Sequence, residues 1–257
     1  MDAHVAALYR HPIKGFTPGR LNTAALSAGA CFPNDRLFAV ENGPSGFDPA
    51  APAYVPKQKF TVLAAIAEVA RARTAYDDAT GVMTATAPGL PAFSGRLTEP
   101  AAAEAFAAWV GQLIGDEAKG PLKLVQADGH RFMDHPLGHV SIVNLASVRD
   151  LEAKMGREID PLRFRANLYV EGWPAWSEFD LLDRTLAIGA TRLKVVKRIV
   201  RCAAVNVDPD TAERDLAIPQ ALQRRLGHAD CGIYAEVIAG GTIVVGDAIA
   251  AEQVELL

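Results

Sequence analysis

Two stretches of the chain carry apolar residues at the spacing of an amphipathic helix. Residues 100–114 are rich in alanine, and their larger apolar side chains recur on one helical face: Phe106, Val110, Leu113 and Ile114. Because glycine readily leaves the helical conformation, Gly115 predicts the end of this helix. A second helix is predicted to begin at Ser147, since Ser147 and Asp150 have the spacing of a capping box, and to end before Gly156.

Strand signals are more frequent than helix signals. Runs rich in β-branched or alternating apolar residues predict strands in five places: residues 5–10, 34–40, 163–170, 191–207 and 233–245. The last of these contains Gly240 and Gly241 between two apolar runs, which predicts a hairpin with a glycine turn. The pattern favours a mainly β chain with helices, of the α+β class, in which a twisted, partly closed β-barrel carries helices on its outside.

A polar segment near the middle of the chain follows the first predicted helix. It spans residues 116–120 and precedes Pro121. Polar segments that contain glycine and stand next to proline are typical of linkers. We therefore expect two domains, at residues 1–118 and 119–257.

The composition excludes several classes of protein. The 257 residues are 50% hydrophobic, and their net charge of −4 argues against a nucleic-acid binder. No uncharged apolar stretch reaches the ~18 residues of a membrane span, and the first residues do not have the pattern of a signal peptide. The three cysteines, Cys31, Cys202 and Cys231, are widely spaced and odd in number, so we expect a reducing, cytoplasmic location.

Cys202 is the cysteine with the most suggestive surroundings. It follows four cations, which are Lys194, Lys197, Arg198 and Arg201. Nearby positive charge favours the thiolate, the form that binds metals and attacks electrophiles. A cysteine in a β-rich segment is, however, often a small buried apolar residue, and that interpretation stays open from the residues alone.

Histidines raise the alternative of a zinc site. His130, His135 and His139 lie close together in the sequence, and His228 precedes Cys231 by three residues. The chain has neither a Cys-x-x-Cys pair nor a His-Glu-x-x-His helix, so zinc is the weaker interpretation.

Three cations from separate segments could bind one anion. Lys14, Arg36 and Arg165 each stand at the beginning or end of a predicted strand, where they could converge on a phosphate. The sequence lacks both the P-loop and the Gly-x-Gly-x-x-Gly fingerprint. A different phosphorylated ligand is therefore expected.

The segment around Cys202 resembles a known family. Residues 201–211, with Arg201-Cys202 followed by Val207-Asp208-Pro209-Asp210-Thr211, resemble the signature of MOSC domains, named from the C-terminal domain of molybdenum-cofactor sulfurases. Phe164–Asn167, Tyr234–Val237 and Gly241–Asp247 are similar to further family segments. His11–Gly15 and Asp35–Phe38 are similar to the MOSC N-terminal β-barrel domain. The resemblance implies a MOSC β-barrel with an N-terminal β-barrel-like domain, and relatives among the molybdenum-containing amidoxime-reducing proteins.

The resemblance also implies roles for individual residues. Cys202 would be the thiolate ligand of molybdenum, and a pterin with its phosphate would be held by Lys14, Arg36, Arg165 and Asn167. The loop at residues 136–141, with Gly138, His139 and Ser141, would offer backbone amides to that phosphate. The chain departs from the family pattern at Gly15, Ala166 and Asn206, where relatives carry serine, proline and often threonine.

The implied activity is reduction of N-hydroxylated small molecules by a molybdenum-cofactor oxidoreductase. The chain has no iron–sulfur pattern and no flavin or nicotinamide fingerprint, so a separate electron-transfer protein is expected to supply electrons. Asp208 is a candidate for proton transfer, or else a turn carboxylate before Pro209. Two alternatives remain, which are sulfur transfer through a Cys202 persulfide and cofactor carriage without turnover.

Overall fold

The computed structural model describes residues 3–252, which form fifteen β-strands and three α-helices. The strands are β1 His4–Arg10, β2 Gly19–Leu21, β3 Thr23–Leu26, β4 Ala39–Asn42, β5 Arg73–Tyr76, β6 Val82–Thr86, β7 Phe93–Arg96, β8 Leu122–Val125, β9 Val140–Asn144, β10 Leu168–Glu171, β11 Thr185–Ile188, β12 Thr191–Val200, β13 Asp230–Ala239, β14 Gly241–Val244 and β15 Ala250–Ala251. The helices are α1 Pro100–Ile114, α2 Leu145–Met155 and α3 Ile218–Leu226.

Eight strands form one curled sheet, in the order β15-β11-β12-β13-β9-β10-β1-β2. Only β9 and β10 run parallel among the paired strands of this sheet in the described chain. Its inward side chains make a dry core that includes Leu8, Ile142, Leu168, Leu193, Val195, Ile233 and Val237. This half-barrel, with smaller sheets and helices around it, confirms the predicted α+β class.

The first half of the chain builds a second core around α1. This helix has the predicted bounds, begins with Pro100 and is followed by Gly115 at φ 51°. Phe106, Trp109 and Val110 point from it toward the three-stranded sheet β5-β6-β7 and the pair β4-β8. None of the helices within residues 3–252 is long and apolar enough to cross a bilayer.

Four strands of the first half belong to sheets completed by the second half: β1 and β2 in the large sheet, β3 with β14, and β4 with β8. β1 pairs antiparallel with β10, and β3 pairs with β14, where Thr23 lies opposite Val244. The two halves are therefore joined by direct strand pairing. The domain boundary near residue 118 stays a prediction.

The predicted hairpin at residues 233–245 is wrong. β13 already has β12 on one side and β9 on the other, so β14 leaves the large sheet and pairs with β3. A Cβ atom on Gly240 would lie 2.7 Å from the carbonyl oxygen of Leu26, so glycine serves the close approach of these two segments.

Other boundaries also differ from the sequence pattern. The strand predicted at 163–170 begins only at Leu168, because residues 161–164 form a 3-10 turn that ends at Arg165 in the left-handed conformation. The strand predicted at 191–207 ends at Val200, and a 3-10 turn follows at Ala203–Asn206. The strand expected within 34–40 is shifted to Ala39–Asn42.

The predicted cap of α2 is also wrong. The side chain of Asn144, not Ser147, caps the helix by accepting a hydrogen bond from the Ala146 amide at 3.0 Å. Ser147 is fully buried and donates to the Glu178 carboxylate instead. The predicted C-terminal glycine, Gly156, does adopt the left-handed conformation at φ 67°.

Candidate functional site

A row of side chains crosses the middle of the large sheet. Lys197 on β12 lies opposite Tyr234 on β13, and Tyr234 lies opposite Ser141 on β9. Opposed residues of neighbouring strands project on the same side of a sheet. Lys197 Nζ consequently sits 5.8 Å from the centre of the Tyr234 ring. All three residues line one cavity.

Asn167 ends this row behind the cavity wall. Its side-chain oxygen accepts hydrogen bonds from the Ser141 amide at 3.1 Å and the Ser141 hydroxyl at 2.9 Å. Its side-chain nitrogen donates to the Tyr9 carbonyl and to Asp35. Asn167 is fully buried, and its amide group is committed to holding β1, β9 and the Asp35 turn together.

Asp35 is the buried anion that organises the neighbouring cations. It accepts hydrogen bonds from the His11 amide at 2.6 Å, from Asn167 at 3.1 Å and from the Arg36 guanidinium. Burial is the largest single effect and opposes its charge, but Arg36, His11 and Asn167 together outweigh burial and hold the Asp35 pKa well below its usual range. Burial, with the charges of Arg36 and Arg165, lowers the pKa of His11 to about 3.

The cavity has a volume of about 310 Å³ and contains most of the predicted site residues. Its lining includes Arg36, His139, Ser141, Arg165 and Cys202. Cys202, the candidate metal ligand, thus lines the same cavity as Arg36 and Arg165, two of the three cations predicted to bind an anion.

Lys14, the third cation, lies beneath this space. Its ammonium donates to the Phe132 carbonyl at 2.8 Å and to the Asp134 carboxylate, which lines the cavity. Burial lowers the pKa of Lys14, although Asp134 opposes that effect. Lys14 is already paired within the protein.

Lys57 is a cavity residue that the sequence pattern does not single out. It lies in a short 3-10 turn at residues 57–59, and its ammonium is 3.3 Å from the Cys202 sulfur. Burial opposes its charge, but Asp134 and Cys202 together raise the pKa of Lys57. Lys57 thus places a positive charge and a hydrogen-bond donor directly beside the Cys202 sulfur.

Three arginines of the cavity, Arg163, Arg165 and Arg201, have a buried donor without a partner, and within residues 3–252 only Arg163 among them is ion-paired with a carboxylate. Arg165 Nη2 and Arg201 Nη2 are buried and have no hydrogen-bond partner. Desolvation, reinforced by the charge of Arg36, lowers the pKa of Arg165 to about 10. An unpaired buried cation is costly. The arrangement therefore fits an anionic ligand such as a phosphate.

Both Arg36 and Arg165 are held in left-handed backbone conformations, at φ 49° and φ 51°. For residues other than glycine this conformation costs roughly 1–2 kcal/mol. Such strain is found where function fixes the direction of a side chain. The two arginines are neighbours, because Arg36 Nη2 approaches the Arg165 carbonyl at 3.4 Å.

Gly138 shapes the loop that leads into β9. It has φ 64°, and a Cβ atom on it would lie 2.3 Å from the Cys31 sulfur. Gly15 is constrained in the same way, since it has φ 91° and a Cβ atom on it would lie 2.6 Å from the Thr61 carbonyl oxygen. These contacts explain why glycine stands at both positions.

Asp208 lies in the turn that follows Cys202. It accepts hydrogen bonds from the Asp210 and Thr211 amides at 2.9 and 2.8 Å, and pairs with Arg163 at 2.7 Å. Arg163 also donates to the Asn206 carbonyl at 3.1 Å. These bonds hold the segment from Asn206 to Thr211 that follows Cys202, and a proton-transfer role for Asp208 stays a prediction.

The histidines considered for zinc have aromatic neighbours. His135 stacks on His139 with ring centroids 4.8 Å apart, and His130 packs against Phe132 at 4.9 Å. Across residues 3–252, no three His, Cys, Asp or Glu side chains are grouped as a metal ion would require. A site with several protein ligands for zinc is therefore not supported.

The cavity draws its residues from both halves of the chain, and each half matches a family model. Residues 2–120 match the MOSC N-terminal beta barrel domain, and residues 129–250 match the MOSC domain. The chain belongs to the MOSC family. This is a molybdenum-cofactor-binding family, and the MOSC signature residues Arg201 and Cys202 lie at the cavity described above.

Curated relatives of this MOSC protein include two mammalian proteins. It is 31% identical over 122 residues to mitochondrial amidoxime reducing component 2 of Bos taurus, covering 43% of this chain and 36% of that protein. For mitochondrial amidoxime-reducing component 1 of Mus musculus the identity is 31%, with 42% and 35% covered. The matches span about a third of each relative's length. The crystal structure of the YUAD protein from Bacillus subtilis aligns with 98% of both chains at 15% identity and a TM-score of 0.46.

Proposed function

We propose that this MOSC protein binds a molybdenum cofactor and reduces N-hydroxylated compounds with electrons from a separate donor. The observation that supports this most directly is the shared cavity of the Cys202 thiol and the unpaired donors of Arg165 and Arg201. A thiolate and an anion-binding pair of guanidinium groups are the two features that a phosphorylated pterin carrying a soft-ligand metal requires. The curated relatives named as amidoxime-reducing components support the same activity.

The residues present fit that cofactor. Cys202 would supply the protein ligand to the metal, while Arg165 and Arg201 would neutralise the phosphate. Ser141 is held at the cavity by Asn167, and Arg36 is held there by Asp35. When bound, the molybdenum centre supplies the two-electron chemistry by which an N-hydroxyl group is converted to N–H and water, with consumption of two protons.

The protein's own contribution is charge and position. Lys57 places an ammonium 3.3 Å from the Cys202 sulfur, where it would offset the negative charge of a metal-bound sulfur. Arg163 holds the segment after Cys202 through its bonds to the Asn206 carbonyl and to Asp208. The proposed location is the cytoplasm.

The electron source lies outside the chain. Residues 1–257 carry no sequence pattern for an iron–sulfur cluster, a flavin or a nicotinamide. We expect the molybdenum-loaded protein to reduce benzamidoxime with an artificial low-potential donor, and not with NAD(P)H until a reductase is added. Robust NAD(P)H-dependent turnover by the isolated chain would contradict this.

The test compares Cys202→Ala with Cys31→Ala, because both changes remove a partly buried thiol. Cys202→Ala is expected to lose the protein metal–sulfur signal in X-ray absorption and to lose benzamidoxime reduction, while Cys31→Ala keeps both. Circular dichroism checks that both variants fold. A Cys202→Ala protein with an unchanged metal spectrum and full activity would refute the assignment.

Sulfur transfer is the second candidate, in which Cys202 would take the outer sulfur of a donor persulfide and release the donor as a thiol, with the Lys57 ammonium 3.3 Å from the receiving sulfur. Cyanide-labile sulfur on metal-free protein, absent from Cys202→Ala, would favour it. Cofactor tightly bound without reduction of any N-hydroxylated compound under any electron supply would favour a carrier.

A further inference from the structure

Lys197 gives the cavity more positive charge than its carboxylates balance. Its ammonium lies over the Tyr234 ring, and no carboxylate oxygen within residues 3–252 comes within 4.0 Å of it. The pair Arg165 and Arg201 would be neutralised by the phosphate of the cofactor in the proposed function. Lys197 would remain without a counter-ion.

Two histidines are near the same Tyr234 ring as this ammonium. His139 is 8% exposed, its Nδ1 has no hydrogen-bond partner, and it lines the cavity. His135 stacks on it at 4.8 Å, and the Tyr234 ring lies 6.0 Å from His139 and 6.3 Å from His135. The imidazoles and Lys197 therefore surround the same aromatic ring.

The electrostatic potential here favours an anion. Burial is the largest cause that lowers the pKa of each histidine, and the charge of Lys197 lowers both further; at His139, His135 acts in the same direction and Glu236 opposes it. Neutral imidazoles can donate one hydrogen bond each, and the ammonium can donate three. A small planar carboxylate next to an aromatic ring matches this combination of donors and apolar surface.

We propose that Lys197, His135 and His139 form an anion subsite that binds the carboxylate of the substrate. The preferred substrates would then be N-hydroxylated compounds that also carry a carboxylate. This inference rests on the proposed function for its reaction, but the subsite can bind a carboxylate whether or not reduction occurs. The other anion with the same chemistry is the phosphate of the cofactor, and the experiment separates the two.

The kinetic test compares benzamidoxime with para-carboxybenzamidoxime on molybdenum-loaded protein with an artificial donor. We expect the KM of para-carboxybenzamidoxime to be about tenfold lower than that of benzamidoxime, because one charge-assisted hydrogen bond strengthens binding by about that factor. Lys197→Gln should remove most of this preference, because it should raise the KM of para-carboxybenzamidoxime and leave the KM of benzamidoxime unchanged. Lys194→Gln is the matched control, because Lys194 is an exposed lysine on the same strand. Added salt should reduce the preference in wild type.

A binding test gives a readout apart from turnover. Benzoate is titrated into loaded protein while the imidazole resonances of His135 and His139 are followed by NMR. Shifts in wild type and Lys194→Gln that are weakened about tenfold in Lys197→Gln support the subsite. Absence of shifts, or equal affinity in all three proteins, overturns it.

The possible failures are distinguishable. If neither amidoxime is reduced while benzoate binds through Lys197, the proposed reaction fails and the subsite stands. If both are reduced with equal KM and benzoate does not bind, the subsite fails and the reaction stands. If Lys197→Gln instead loses cofactor from the purified protein and loaded wild type binds no benzoate, these residues hold the phosphate, which also refutes the proposal.

Discussion

Replacing Asp35 with asparagine should destabilise the protein strongly without changing the size of the side chain. Asp35 is fully buried and accepts hydrogen bonds from three donors, the His11 amide, Asn167 and Arg36. An asparagine has a single acceptor oxygen, and its NH₂ group would face donors. At least one donor would lose its partner, and the charge of Arg36 would lose its nearest anion.

The expected magnitude follows from the burial of the pair. Leaving one buried donor unpaired costs about 1–3 kcal/mol, and removing one partner of a buried ion pair costs about 3–5 kcal/mol. These contributions overlap, because the Arg36 bond is counted in both. We therefore expect Asp35→Asn to lower the free energy of unfolding by about 3–4 kcal/mol at pH 7.

The sign of the pH dependence provides a second check. The pKa of Asp35 is lower in the folded protein than in the unfolded chain. Its contribution is therefore present above the unfolded pKa of ~3.9 and is lost as the pH falls toward the folded pKa. The difference between wild type and Asp35→Asn should shrink in that acid range.

Urea unfolding followed by circular dichroism measures this effect, with Asp128→Asn as the matched control. Asp128 is exposed, so its replacement should change stability by less than about 0.5 kcal/mol. The double variant Asp35→Asn/Arg36→Met removes both charges, and its loss should be smaller than the sum of the single losses. A loss below about 1 kcal/mol for Asp35→Asn, or strict additivity, would refute the account of Asp35 as the organising anion.

Two further predictions concern neighbouring residues. Gly138→Ala should cost about 2–4 kcal/mol of stability, from the left-handed backbone and from overlap with the Cys31 sulfur; adding Cys31→Ala should recover only the overlap, and a double variant as unstable as Gly138→Ala in urea titrations would contradict the contact. His11 has a folded pKa of about 3, so the unfolded chain takes up a proton first as the pH falls below ~6.5. Wild-type stability should therefore fall by up to about 1.4 kcal/mol per pH unit more than that of His11→Gln in this range, and parallel pH profiles would contradict a neutral buried imidazole.

Local patterns predict the elements whose partners are close in the sequence. Helix α1 was predictable because its apolar stripe, Pro100 and Gly115 all act within one segment. The true pairing of β14, which replaces the predicted hairpin at 233–245, was not predictable, because its partner β3 lies near the other end of the chain. Asn144 caps α2 in place of the predicted Ser147, because the Ser147 hydroxyl donates a hydrogen bond to Glu178, 31 residues away.

The candidate site likewise contains residues that local sequence signals predict and residues whose partners are distant in the sequence. Cys202, Arg36 and Arg165 could be singled out from residue types, strand ends and resemblance, and they line one cavity. Lys57 could not, because it belongs to a loop without periodicity and meets Cys202 across 145 residues of sequence. Asp134 was missed for a similar reason, since nothing in its loop indicates that it pairs with Lys14, 120 residues away.

The pairing of β1 with β10 and of β3 with β14 has a consequence for the order in which the chain can fold. Strands β5, β6 and β7 follow one another directly and precede α1, so this unit contains the contacts that close fastest. During synthesis β1 and β3 emerge first, yet they must wait with open edges until residues 168–171 and 241–244 leave the ribosome. The large sheet is therefore completed late, and its earliest strands are the ones whose edges stay unpaired longest.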